Sequence, residues 1–224
     1  MPHPMSDSRD DRSVAARSVD RALASRYSSY LEEVRQLIQA GVRLMRRTGR
    51  FDPRVSEILC EAGLSNQTFY RHFRSKDEFL LAVLDDGVRE LVGYLRHRMQ
   101  GADSARERIR NWIQGVLAQA LNREAAAATR PFVIPQAHLG ERFPNEVASS
   151  VRQLTTLLHD AIAEGVTAGE LPGADPERDA RAIYDLALGW LQRALLQADV
   201  PALEDADHVL AFAMRGLQRG AGDS

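Results

Sequence analysis

Apolar residues recur at three- and four-residue spacing along most of the chain, and nowhere does the strict alternation of a half-buried strand replace that rhythm. This periodicity restricts the chain to packed helices. Leu31, Val34, Leu37, Ile38, Val42 and Met45 form one stripe over residues 30–47, with Gly49 placed to stop it. Ile109, Trp112, Ile113, Val116, Leu117 and Ala120 form a second, and Val147, Val151, Leu154, Leu158, Ile162 and Val166 a third. Turn-forming stretches at residues 101–103, 130–144, 169–176 and 199–202 punctuate them. The expected fold is all-α. Residues 1–27 mix Arg, Asp and Ser with little periodic apolar content, and read as a flexible N-terminal arm.

Composition narrows the class. A chain of 224 residues, 44% hydrophobic and 27% charged, suits one large or two small globular domains. No apolar run approaches a membrane span and the first residues lack the apolar centre of a secretory signal, so a cytoplasmic protein is expected. The single cysteine, Cys60, falls in an apolar helical stretch and is expected to fill core. His3, His72, His97, His138, His159 and His208 are scattered with no ligand-like pairing, and no phosphate-binding glycine loop or nucleophile constellation is present. The chain therefore reads as no enzyme, with no catalytic residues, metal or cofactor expected.

The stretch from residue 55 to 85, VSEILCEAGLSNQTFYRHFRSKDEFLLAVLD, carries the most chemistry. Ile58, Leu59 and Ala62 give a short helix one apolar side; Gly63 supplies a positive-φ corner and Leu64 plugs the angle. Ser65 then caps a second short helix in which Phe69 and Phe73, four apart, share a buried face. Asn66, Gln67, Thr68, Tyr70 and Arg71 are left around the other side, where amide and guanidinium groups suit the base edges and phosphates of a major groove. A third helix opens at Ser75 with Glu78 three residues on, a capping box, and its first-turn Lys76 is the only lysine in the chain.

Charge is concentrated in the same place. Between Arg43 and Lys76, the cations Arg43, Arg46, Arg47, Arg50, Arg54, Arg71, Arg74 and Lys76 face Asp52, Glu57 and Glu61; eight against three leaves +5, in a chain whose net charge is -2. Such asymmetry fits a phosphate-binding end on a more acidic body. A solvated helix face is the plainer reading of the charge alone, and its coincidence with a glycine-cornered helix pair favours DNA. In the N-terminal arm, Arg9, Arg12, Arg17, Arg21 and Arg26 suit a minor groove, while Asp7, Asp10, Asp11 and Asp20 suit a simple solvated tail as well.

The residues Ile58 to Ala62, Gly63-Leu64-Ser65, Thr68-Phe69-Tyr70-Arg71-His72-Phe73 and Ser75-Lys76-Asp77-Glu78 resemble the DNA-binding signature of the TetR family of transcriptional regulators, over about a quarter of the chain. Val55-Ser56 stands where that family commonly has Thr, and Asp52-Pro53 precedes it. The resemblance implies a three-helix helix-turn-helix DNA-binding domain over residues 28–75 and a helical effector-binding and dimerisation domain over 76–224. It implies that Tyr70, His72 and Lys76 hold phosphates and that Thr68 meets backbone or a thymine methyl. Asn66, Gln67 and Arg71 would read bases beside the capping Ser65, with Arg54 and Ser56 touching DNA from the preceding helix. His72 has a plainer reading, as a histidine packed between Phe69 and the next helix.

Beyond the signature, the residues speak for themselves. Residues 180–198 are apolar around more of the circumference than a surface helix needs, and residues 203–218 offer a complementary stripe. Ile183, Leu186, Trp190, Leu195, Leu210, Met214 and Leu217 are the expected interface of a homodimer built as a four-helix seam, the alternative being a single-chain core that takes in both helices. Trp112, Arg130, Phe132, Ile134, His138, Leu139, Leu158 and Tyr184 are the expected lining of a small, largely apolar effector site, although each taken alone is ordinary core. The prolines of residues 130–144 read as an irregular connector able to shift on binding. With the resemblance, the expected function is a repressor that binds a palindromic DNA operator as a dimer and is released by a small, largely apolar effector. A ligand-independent or activating DNA-binding protein is the alternative.

Overall fold

Side-chain caps and glycine corners fix where the N-terminal helices start and stop. The computed structural model describes residues 13–197 and 199–218. In it α1 runs Val14–Thr48, α2 Val55–Ala62, α3 Asn66–His72 and α4 Lys76–Met99. α1 ends at Gly49, whose N–H donates to Met45 O at 2.9 Å. Gly63, at φ 67°, makes the left-handed corner between α2 and α3 that a side chain would strain. Ser65 Oγ accepts the Thr68 N–H at 3.1 Å and Ser75 Oγ accepts the Glu78 N–H at 3.1 Å. The second half of the expected capping box lands one residue earlier: Glu78 Oε2 accepts from Arg74 N–H at 2.6 Å, not from Ser75.

The helix α1 begins inside the stretch expected to be a flexible arm. Residues 14–24 supply Ala, Arg and Leu, whose intrinsic preference continues the helix without tertiary contacts. The absence of a burial pattern there is nonetheless real, since Val19, Leu23 and Tyr27 are all more than half exposed. Residues 1–12, with Arg9, Arg12, Asp7, Asp10 and Asp11, lie outside the described residues.

The body follows as α5 Ala105–Leu117, a 3-10 turn Ala118–Ala120, α6 Arg123–Val133, α7 Gln136–Arg142, α8 Pro144–Thr167, α9 Pro176–Leu196 and α10 Leu203–Gly216. Among the described residues there is no strand, and no helix is long and apolar enough to cross a membrane. α5 is central: its Ile109, Trp112, Ile113 and Val116 are buried where α4, α8, α9 and α10 surround it. One core runs from Leu37 in α1 to Leu217 after α10. Phe69 and Phe73 of the short helices stack with Phe79 of α4 at centroid distances of 5.3–5.6 Å, so the first turns of α4 pack as part of the N-terminal unit.

Two expectations are corrected here. The stretch 130–144 is not an irregular connector but mostly helix, with Pro131 inside α6, Pro135 as the N-cap of α7 and Pro144 in the first turn of α8. The Ala-rich run ahead of Pro131 favours helix strongly, and a proline two residues from the helix end disturbs little beyond one hydrogen bond. Cys60 is exposed, not core. Ile58, Leu59 and Ala62 take the buried side of the single-sided α2, leaving position 60 facing outward.

Candidate nucleic-acid interface

Helix α3 presents Asn66, Gln67 and Tyr70 outward, Tyr70 being 55% exposed with its ring edge-on to buried Phe69. An amide pair and a phenol on one short, capped helix can pair with base edges and phosphates. Arg54 and Ser56 are exposed at the start of α2, and Arg54 caps that helix by donating its backbone N–H to Glu57 Oε2 at 2.8 Å. Thr68 departs from its place in the outward set. It is 8% exposed, and its Oγ1 is held 2.9 Å from Ser65 Oγ, because one turn after the cap it points toward Phe69's side of the helix.

Five of the cations around α3, Arg43, Arg47, Arg50, Arg71 and Lys76, lean on carboxylates. Glu61 takes Arg47 at 2.8 Å and Arg43 at 3.4 Å, and Glu57 takes Arg50 at 3.1 Å. Hydrogen bonding from Arg47 holds the Glu61 carboxyl below its usual range, and the backbone N–H of Arg54 does the same for Glu57. Lys76 pairs with Asp52. Glu33 of α1 takes both Arg71, at 3.1 Å, and His72 Nε2, at 2.6 Å, while the Tyr30 ring lies 5.5 Å from each. The His72 side chain is only 8% exposed, so it packs against α1. The packed reading holds for it in this state, with Glu33 and Tyr30 of α1 as partners.

Glu33 lies 38 residues before Arg71, so no local pattern of sequence links the two. The one available hint was its spacing from Tyr30, which puts an anion and a ring on the same face of α1.

A cavity of about 470 Å³ opens between α4, α6, α8 and α9. Leu84, Val88 and Leu91 of α4, Phe132 and Val133 of α6, Leu154 of α8, and Tyr184, Leu188 and Leu191 of α9 line it, with Gln119, Asn122, Thr129, Glu90 and Arg46 as its polar groups. Of the residues expected there, Phe132 and Tyr184 line the cavity. Trp112, Leu139 and Leu158 are fully packed core elsewhere, and Ile134, at the end of α6, is outside the lining. Arg130 caps the end of α9 instead, donating Nε–H to Leu195 O at 2.8 Å. His138 is 3.6 Å from Asp77, the buried first-turn carboxylate of α4, which also holds Arg142. The missed lining of α4 was legible as Leu84, Val88 and Leu91 at helical spacing. Arg46, from α1, reaches across to α6 and donates to Ala128 O at 3.2 Å.

The expected dimer residues are corrected as well. Ile183, Trp190, Leu195, Leu210, Met214 and Leu217 are buried within the single chain and Leu186 is partly so. The extra apolar circumference of α9 meets α5, α6, α8 and α10 of its own chain. What α9 and α10 leave outside is Leu196, Leu203 and Phe212, at 71%, 60% and 58% exposure.

Residues 37–83 match the family described as bacterial regulatory proteins, tetR family. The HTH-type transcriptional regulator BetI of Brucella canis is 35% identical over 75 residues, which are 34% of this chain and 38% of that protein. The chain thus spans well under half the length of this relative. Fold similarity extends further. FadR from Bacillus subtilis in complex with stearoyl-CoA superposes with a TM-score of 0.64 at 19% identity, over 81% of this chain and 97% of that one. RolR in complex with resorcinol superposes with a TM-score of 0.65 at 18% identity, over 85% and 89%. Residues 37–83 are a TetR-family helix-turn-helix domain, and the helical fold that carries it is the one TetR-family transcriptional regulators share.

Proposed function

We propose that this chain is a dimeric DNA-binding repressor, acting in the cytoplasm, that sits on a palindromic operator and is released by a small, largely apolar or aromatic effector. The observation that carries the reading is α3 itself: Asn66, Gln67 and Tyr70 face outward from a Ser65-capped helix, inside a TetR-family domain and ringed by Arg54, Arg71, Arg74 and Lys76. Asn66, Gln67 and Arg71 read bases; Tyr70, Lys76, Arg54 and Ser56 hold the backbone. A dimer places two such helices one helical turn apart in successive major grooves, and the exposed Leu196, Leu203 and Phe212 are the residues that pair its protomers.

The cavity supports the effector part of the reading. Its lining is mostly aliphatic and aromatic, its volume suits a small molecule, and the similar folds of FadR and RolR are known with stearoyl-CoA and resorcinol bound. Effector binding and DNA binding then oppose each other by the same factor in both directions. The test is selection of duplexes from a random pool at near-physiological salt, with Tyr70→Ala alongside. A recovered palindrome that Tyr70→Ala binds weakly supports the reading; recovery without enrichment points to an unspecific architectural binder, and no recovery by folded protein removes the DNA role.

A further inference from the structure

We infer that Glu33 is a specificity-determining residue of the DNA interface, acting by withholding Arg71 from phosphates; this rests on the DNA-binding reading of α3. Three contacts converge on one nitrogen of Arg71. Its Nη2 donates to Glu33 Oε1 and Oε2 at 3.3 and 3.1 Å and to Thr68 Oγ1 at 3.3 Å, while its guanidinium lies 5.5 Å from the Tyr30 ring centre. A guanidinium can take two acceptors at once along either of two edges, Nε with Nη2 or Nη1 with Nη2, and both edges include Nη2. Nη2 carries one hydrogen along each edge and faces both Glu33 and Thr68, so a bidentate contact of Arg71 with DNA displaces or shares one of these two partners.

That exchange discriminates between DNA acceptors. A phosphate offers Arg71 one anion in place of another, and Glu33 is left beside a densely charged backbone with one cation fewer. A guanine offers O6 and N7 in a fixed pair matched to the guanidinium fork, and adds no negative charge. Glu33 thus suppresses the contact that every sequence offers more than the contact that one base pair offers. His72 meets the same carboxylate at 2.6 Å and packs edge-on to Tyr30, a buried contact that fixes Glu33 in place beside Arg71. The effect is on discrimination: unspecific duplexes lose more than the operator does.

The test measures the full chain by fluorescence anisotropy on its selected duplex and on a shuffled duplex of equal length, across a series of KCl concentrations. Glu33→Gln is expected to bind the shuffled duplex about three- to tenfold more tightly, with a log-log salt slope steeper by about 0.9, the increment of one further phosphate contact. Its ratio of specific to unspecific affinity falls, and in an Arg71→Ala background the same substitution leaves that ratio nearly unchanged. Glu33→Asp, which keeps the charge, stays close to the parent in slope. If Glu33→Gln weakens both duplexes in equal proportion with the slope unmoved, Glu33 only braces α3 on α1 and the inference is overturned. If the parent protein itself prefers neither duplex, the reading of α3 fails instead.

Discussion

The Phe132 ring of α6 lies directly on the backbone of Gly87 in α4: a Cβ built on Gly87 would overlap Phe132 Cδ1. Both residues line the cavity, and the two helices meet there with only the Phe132 ring between their backbones. Glycine in mid-helix is otherwise unfavourable, and the contact supplies the reason for it. Gly87→Ala is expected to destabilise the protein by about 1–3 kcal/mol through overpacking. In a Phe132→Ala background the sign reverses, and the same change stabilises by roughly 0.5–1 kcal/mol, as alanine is the better helix former. Urea denaturation of the four proteins decides; an equal cost in both backgrounds would show that the ring contact is not the cause.

Asp77 joins the first turn of α4 to α7 through Arg142. The Asp77 side chain is 12% exposed and that of Arg142 58%, so removing the arginine strands a mostly buried carboxylate. Arg142→Ala is expected to cost about 1 kcal/mol, reduced from the fully buried case by the solvent around the guanidinium. Adding Asp77→Asn should then cost little more. His138→Ala, from a half-exposed ring 3.6 Å away, should fall within experimental error. A double-mutant cycle with no coupling between positions 77 and 142 would remove the pair from the account.

Acid should loosen the N-terminal unit through Glu61. Its folded carboxyl is held below the ordinary value of 4.5, first by the hydrogen bond from Arg47. A lowered folded value means the contribution is fully present above that ordinary value and is lost as pH falls through the lower, folded one. Glu61→Gln is therefore expected to flatten part of the stability loss below pH 4.5 and to leave the pH 6–8 plateau with the same slope as the parent. Melting temperatures across that range test it, and an unchanged acid limb would count against the Arg47 contact.

Cys60 faces solvent on α2. A maleimide should modify the native protein at this single thiol without prior unfolding, while the circular dichroism of the helices stays unchanged. Labelling that requires denaturant would place the side chain inside.

The N-terminal unit was legible because each of its signals is local. Ser65, Gly63, Ser75 and the Phe69–Phe73 pair act within one or two turns, and the structure uses every one of them. Contacts between distant segments escaped. Apolar periodicity marks a side as buried without saying by what, so Trp190 and Leu210 looked equally suited to a second chain and to the α5 bundle that buries them. Residues of the cavity failed for the same reason: Trp112 and Phe132 have similar chemistry, and only the packing of α4 against α6 separates core from lining. Proline misled at residue 131, where the strong preference of the alanines before it outweighed one missing donor.

The bond from Arg46 to Ala128 closes a mechanical loop. The N-terminal unit is joined to the body along the chain, through α4, and again across space, where α1 rests on α6. A part attached at one point swings as on a hinge; a part attached at two moves only as a linkage, with each joint's travel fixed by the other's. Arg46 meets α6 at Ala128, and Tyr30 and Glu33, which hold Arg71, stand about four turns back along the same helix α1. The wall of the cavity and the grip on Arg71 are two stations of one helix.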